Sequence, residues 1–326
     1  MPMSKSAFSY VVILFKGMAM GAADVVPGVS GGTIAFISGI YEELIETIDR
    51  LDFGVISVWK KEGFKKMFLH YNLGFLISLF LGVFISIISL ANLISYVLEN
   101  HPVLVWSFFF GLVVASIIYI GKQIEHWNPQ VIVTAIIGIA IAYYITIATP
   151  AQAPDALYFF FLSGCIAIIA MILPGVSGSF ILVLLGSYGI VLAALTDFIE
   201  GVTSGNWEVV KTSFLKVFLF IIGCVVGLKL FSKALKWMFA NKKELTLAVL
   251  TGFMIGSLNK IWPWKNILST RIDRHGEEVP LLEKSVLPSS FEGEPLVMYA
   301  IIFAIIGFLT IFLLERLAVR KKINAN

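Results

Sequence analysis

Apolar positions in this chain gather into long blocks, and charged residues collect between the blocks. Six of the blocks are Tyr71 to Leu98, Pro102 to Ile120, Val131 to Thr149, Leu215 to Phe239, Leu245 to Trp262 and Leu296 to Leu314. Their lengths, roughly 17 to 28 residues, match what a helix needs to cross about 30 Å of hydrocarbon. Each is predicted as a membrane-spanning helix. Two further apolar stretches, Ala7 to Ile45 and Ala156 to Leu195, are interrupted midway by Pro27-Gly28-Val29-Ser30-Gly31-Gly32 and Pro174-Gly175-Val176-Ser177-Gly178-Ser179. Proline removes an amide donor and glycine weakens a helix, so both stretches break there. Broken backbone survives at membrane depth only where protein or a water-filled cavity satisfies it. Each stretch is therefore predicted as a helical hairpin with its tip at the motif. Re-entrant and fully spanning arms both fit, and in either case the chain returns to the side it left.

The two motifs belong to a duplication. The offset that aligns them also pairs Gly17 with Gly164, Ala23 with Ala170, Ile34 with Ile181, Gly39 with Gly186 and Tyr41 with Tyr188; at a slightly smaller offset, the stretch from Gly111 to Ser116 resembles that from Gly252 to Ser257. The expected organisation is a first repeat over 1–149 and a second over 156–316. With a hairpin and an odd number of crossings in each, the second copy is inverted relative to the first, the architecture of many secondary transporters. The fold class expected is thus an all-α polytopic membrane protein of two inverted-topology repeats. Placing the N-terminus in the cytoplasm puts Arg50, Lys60, Lys61, Lys65, Lys66, Lys122, Lys242, Lys243, Arg316, Arg320, Lys321 and Lys322 inside, as the positive-inside bias requires, and brings the C-terminus to the same side. The segments from Glu99 to His101 and from Pro150 to Asp155, placed outside, have no Lys or Arg. Thr196 to Phe214 is read as a mostly acidic outer loop. The outer loop from Pro263 to Pro295 mixes both signs, and its composition fits a small ordered cap or a flap equally. Asp49 to His70 mixes lysines with Trp59, Phe64 and Phe68, as an interfacial helix on anionic lipid would.

Composition closes off the soluble classes. The chain has 326 residues, 58% hydrophobic and 14% charged, with mean hydropathy +0.91; a soluble domain carries about 25% charged residues. The net charge of +3 is absorbed by orientation and does not point to nucleic acid. Cys165 and Cys224 sit inside apolar blocks without metal-ligand spacing. The apolar run from Ala7 to Phe15 is broken by Lys16 and flows into the first motif, so it is expected to be retained rather than cleaved.

Glycine-rich breaks that open into helices present free amides and allow close approach, which suits an anion, with Ser30, Thr33 and Ser177 as further donors. Two such tips meeting near the midplane would hold one phosphate or carboxylate. The competing reading makes the motifs packing devices, with Ser30 and Ser177 capping their own helices. Ionisable residues within spans are functional candidates because burying them is costly. Lys16, Asp24, Glu42 and Glu43 fall in the first hairpin, while the aligned positions of the second are Ser163, Met171, Gly189 and Ile190. That asymmetry assigns charge or a coupling ion to the first hairpin; snorkelling by Lys16, capping by Asp24 and hydration of the glutamates is the bland counterpart. Lys260 and Lys265, among Trp262 and Trp264, read either as interfacial anchors or as contacts for a lipid phosphate. The four histidines, His70, His101, His126 and His275, show no HExxH or other catalytic spacing, and the arginines are scattered. A transporter is expected, not an enzyme.

The run from Lys16 to Thr33, with the copy from Pro174 to Ser179 and the stretch from Gly256 to Trp264, resembles the bacterial polyprenyl-phosphate (undecaprenyl-phosphate) translocases, over nearly the whole length from Gly17 to Leu314. The resemblance implies translocation of the C55 monophosphate carrier lipid across the cytoplasmic membrane, back to the inner leaflet for envelope-polymer synthesis. It also implies phosphate contacts at Ser30, Gly31, Gly32, Thr33, Ser177, Gly178 and Ser179, with Lys16 and Lys260 as counter-charges. Asp24 and Glu42 become the sites of a coupling proton or sodium ion; no other cofactor is expected. The implied partners are the lipid and the bilayer, and an assembly of identical chains is compatible with it. The family pattern has an arginine beside the Lys260 position, where this chain has Asn259. A soluble-anion transporter would share the repeats and the tips but would need a closed aqueous pocket.

Overall fold

A computed structural model describes residues 7–26, 29–52, 54–154, 156–272 and 278–323. Lys5, Pro27 and Gly28 of the first motif, Phe53, Asp155, and Asp273, Arg274, His275 and Glu277 of the outer loop lie outside the described residues. The first half of the chain forms α1 (Ala7–Val25), α2 (Gly31–Ile37), α3 (Tyr41–Arg50), α4 (Val55–Glu62), α5 (Phe64–His70), α6 (Leu73–Asn100), α7 (Pro102–Gly121) and α8 (Pro129–Ile147). The second half forms α9 (Leu157–Ile172), α10 (Gly178–Leu184), α11 (Tyr188–Ser204), α12 (Trp207–Asn241), α13 (Lys243–Ser257), strands β1 (Lys265–Ile272) and β2 (Glu278–Ser285), and α14 (Val297–Ile323).

This is a polytopic helical membrane protein. Among the described residues, α1, α6, α7, α8 and α12 are long and apolar enough to cross a bilayer, and α10 with α11 forms a sixth candidate bent by 109°. The apolar helices α9 and Val297–Phe312 of α14 are shorter. α13 has 15 residues and stops at Ser257, before the end of the apolar block at Trp262, because the chain turns there ahead of Pro263. α12 instead runs for 35 residues, about 50 Å at 1.5 Å per residue, well beyond one hydrocarbon thickness. The segment from Thr196 to Phe214, read as a loop, is accordingly helical on both sides of a tight turn at Gly205 and Asn206. Gly205 takes the left-handed conformation (φ 71°) that ends α11, and the Asn206 carboxamide oxygen accepts from the Val209 amide to start α12.

The chain divides into two compact units, each drawing on both halves of the sequence: Met1–Ala91 with Pro150–Thr246, and Asn92–Thr149 with Leu247–Asn326. In the first unit α1 packs on α6, and α9 on α12, by the same device. Gly17 lies against the Leu79 carbonyl and Gly82 against the Leu14 carbonyl; Gly164 lies against that of Phe220 and Gly223 against that of Phe161. In the second unit Gly111 and Gly307 join α7 to α14 through the carbonyls of Ala304 and Phe108, and Gly138 and Gly252 join α8 to α13 through those of Val249 and Ala135. Each glycine thus meets the carbonyl one helical turn before the opposite glycine. A Cβ at any of these positions would overlap the carbonyl oxygen. Lipid gives apolar helices no hydrophobic reason to associate, so close backbone approach supplies the attraction.

Each hairpin has a second break that the motif did not announce. Ser38 to Ile40 separates α2 from α3, and Leu185 to Ser187 separates α10 from α11, with Gly39 (φ 70°) and Gly186 (φ 69°) both left-handed. α4 and α5 leave Ile56, Trp59 and Phe64 exposed beside Lys60, Lys61, Lys65 and Lys66. Among the described residues of the outer segment from Pro263 to Pro295, β1 and β2 pair antiparallel, with irregular register between Ile267 and Thr270. Trp262 Nε1 donates to the Val286 carbonyl (2.8 Å), and Trp264 Nε1 ties the start of the segment to its end at the Pro295 carbonyl (2.7 Å). Trp264 packs there with Val103 and Ala300.

Candidate functional site

In the first unit the two motif tips meet. α1 ends at Val25, and the backbone is extended at Ser30 (φ −120°, ψ 131°) before α2 begins. The Ser30 hydroxyl accepts from the Gly32 amide at 3.1 Å and donates to the Met171 carbonyl at 3.1 Å. One side chain therefore caps its own helix and reaches the other hairpin. The Thr33 hydroxyl accepts from the Gly175 amide at 2.9 Å. Between these bonds Gly32 is pressed so closely on the second hairpin that a Cβ would stand 2.5 Å from the Ile172 carbonyl oxygen. Ser30 and Thr33 are both buried, at 2% and 1% exposure.

The second tip is built differently. Ser177 makes no capping bond to α10; its hydroxyl pairs with that of Ser179 at 3.0 Å. Gly175 is left-handed (φ 84°), as its place in the turn after Pro174 requires. Gly178 backs onto α9, where a Cβ would lie 2.7 Å from the Ala167 carbonyl oxygen. The capping alternative weighed for both serines thus describes Ser30 and not Ser177. The second tip is the one whose hydroxyls are held only by each other in the bonds described.

Asp24 and Lys16 of the first hairpin serve its backbone. Asp24 Oδ1 accepts from the Gly31 amide at 2.6 Å, so a carboxylate occupies the position expected for a bound anion. Lys16 Nζ donates to the carbonyl of Ser38, at the second break. A cation at the C-terminal end of a short helix satisfies carbonyls that no amide reaches. Glu42 is exposed in the first turn of α3, and Glu43 accepts from the Asn72 carboxamide at 2.8 Å. Lys229 of α12 was not anticipated: its ammonium donates to the carbonyls of Ile48 and Asp49 at the end of α3, fixing the far end of the hairpin.

Lys260 lies in the second unit, where its ammonium is 3.1 Å from Glu283 Oε2 on β2; the same oxygen is 3.3 Å from Lys265 Nζ. Lys265 also stands 3.9 Å from the centroid of the Trp106 ring. Burial pushes the Lys265 ammonium down to about 8, against the opposing pull of Glu283. Burial would raise the Glu283 carboxyl, but Lys265 and Lys260 together hold it below its ordinary value. The acidic surplus of the outer segment was the only sequence signal for this pairing.

A family profile described as VCA0040-like, undecaprenyl phosphate translocase-like, matches residues 20–279. A polyprenyl-phosphate transporter of Vibrio cholerae is 47% identical over 291 residues, covering 89% of this chain and 90% of its own length. One from Staphylococcus aureus is 33% identical over 271 residues, covering 78% of this chain and 87% of its own length. No solved structure matches the chain.

Proposed function

Because this chain belongs to the undecaprenyl phosphate translocase-like family, we propose that it moves a polyprenyl monophosphate across the cytoplasmic membrane, from the outer leaflet to the inner, for reuse in envelope-polymer synthesis. The observation that carries the reading is the 47% identity, over about nine-tenths of both chains, to a relative named for polyprenyl-phosphate transport. The physical support is a polytopic apolar body with a polar break inside it. A phosphate monoester carries about −1.5 to −2 charges at neutral pH and cannot enter hydrocarbon unaided, while its polyprenyl tail has no reason to leave it.

The tips are the working part of this proposal. The bonds from Ser30 to Met171 and from Gly175 to Thr33 form a clasp. Alternating access parts the clasp and offers the head group the hydroxyls of Ser30, Thr33, Ser177 and Ser179 and the backbone at Gly31, Gly32 and Gly178. Lys16 supplies positive charge near α2. Asp24, which holds the Gly31 amide in the clasped form, releases it when a coupling proton or sodium ion takes the carboxylate; Glu42 is the second candidate for that ion. The inverted repeats give the two access states equivalent arms, with both chain termini in the cytoplasm.

The test is movement of a labelled polyprenyl monophosphate in proteoliposomes of purified protein, with inorganic phosphate and small carboxylates as competitors. Saturable lipid movement that Ser30→Ala with Ser177→Ala abolishes is the expected result. Uptake of a soluble anion without lipid movement would replace the lipid substrate with that anion.

A further inference from the structure

The second unit holds two ammonium groups converging on one carboxylate oxygen. Lys260 and Lys265 both donate to Glu283 Oε2, Lys265 donates as well to the Lys260 carbonyl at 3.2 Å, and the Trp106 ring closes the far side of Lys265. The side chain of Lys265 is only 6% exposed. Such a cradle is costly to build around a single carboxylate oxygen. An ammonium is a strongly hydrated point charge, and desolvating two of them is repaid only by good geometry to counter-charge. A phosphate monoester fits the same cradle better, since it brings more charge and three acceptor oxygens, one for each ammonium with one to spare.

The carboxylate is also carried on the part of this unit best suited to yield. A two-stranded hairpin is marginal by itself, and Glu283 faces Ile267, where the register of β1 against β2 becomes irregular. The cradle sits where α13 has ended and within the first two turns of α7, at the edge of the apolar segments and at the end of the strand pairing where Lys265 faces Ser285. Lysines at that level meet lipid phosphates.

We propose that Lys260 and Lys265 form a docking site for a phosphate monoester head group, that Glu283 is its resting occupant, and that head group and carboxylate exchange on the two ammonium groups. The proposal deepens the transport reading by assigning the head group contacts in the second unit, and it rests on that reading only for the lipid origin of the phosphate.

The experiment titrates the full-length purified chain with farnesyl monophosphate, with inorganic phosphate and with farnesol, following tryptophan fluorescence and heat. In Glu283→Gln both phosphates should bind at least about tenfold tighter than in the wild type, the worth of one charge-assisted hydrogen bond no longer contested. Farnesol should be unaffected, and adding Lys265→Met should erase the gain. A Glu283→Gln protein that melts like the wild type and binds neither phosphate more tightly overturns the proposal. Should that variant fail to fold, Glu283→Asp, which withdraws the carboxylate while keeping its charge, should still show a smaller gain, and no gain there also overturns it. A gain for inorganic phosphate alone overturns the lipid head group as ligand. Failure of the wild-type chain to move lipid in proteoliposomes would sink the transport reading while leaving the binding gain in place, so the two outcomes separate.

Discussion

The Thr33 hydroxyl accepts a 2.9 Å hydrogen bond from the Gly175 amide, joining residues 142 positions apart in the chain. It links the helix that follows one motif to the backbone of the other. Thr33→Val keeps the shape and removes the acceptor. Leaving that amide unpaired should cost about 1–3 kcal/mol. Thermal unfolding in detergent should show the loss, and Thr33→Ser should recover most of it.

Adjacent glycines should behave differently. A methyl group at Gly32 meets the Ile172 carbonyl, which is backbone and cannot swing aside, whereas at Gly31 it meets the Asp24 carboxylate at 2.5 Å, the end of a side chain that can. Gly32→Ala should therefore destabilise the protein by about 1–3 kcal/mol, in the range of overpacked cores. Gly31→Ala should fold normally and alter transport only. Equal melting temperatures for the two variants would contradict the clasp.

Asp24→Asn retains an oxygen for the Gly31 amide and loses the charge. Lipid flux driven by imposed pH or sodium gradients should lose its dependence on the gradient, while binding of the monophosphate persists. Undiminished ion dependence would remove Asp24 from the coupling role.

Lys265 gives a pH signature of definite sign. Its ammonium titrates at about 8 in the folded protein against an ordinary 10.5. Between those values the unfolded chain holds the proton and the folded chain does not, so stability rises with pH; below about 8 both hold it and the burial cost is constant. The melting temperature of the wild type relative to Lys265→Met should climb from pH 8 to pH 10.5. A flat profile over that window would mean that Glu283 outweighs burial and keeps the lysine charged.

Much of this was legible in the residues. The two proline-glycine motifs announce their breaks because no helix continues through such backbone, and their duplication anticipated that the tips would come together. The second breaks were visible only as the aligned pair Gly39 and Gly186, since a lone glycine in an apolar run is ordinarily tolerated. The turn at Gly205 and Asn206 was hidden by its neighbours: Asp197, Glu200 and Glu208 look like a loop, yet they lie on helices that leave them exposed. Lys260 was placed at a cluster by spacing, but its partner Glu283 depends on where β2 folds back, which no local pattern in a mixed-charge segment states.

The division of the chain into interleaved units has a consequence for how the protein is made. α1 to α5 belong with α9 to α12, and the residues between 92 and 149 belong elsewhere. A ribosome adding about 5–20 residues per second needs roughly four to eighteen seconds to pass from the end of the first portion of that unit to the second motif at Pro174–Ser179. Through that interval Gly17 and Gly82 can join α1 to α6, but Ser30 and Thr33 have no second hairpin to hold, and the polar break waits in the bilayer half-built. A factor that shelters unpaired backbone in the membrane would matter most in that interval, and a chain cut after residue 149 would remain there.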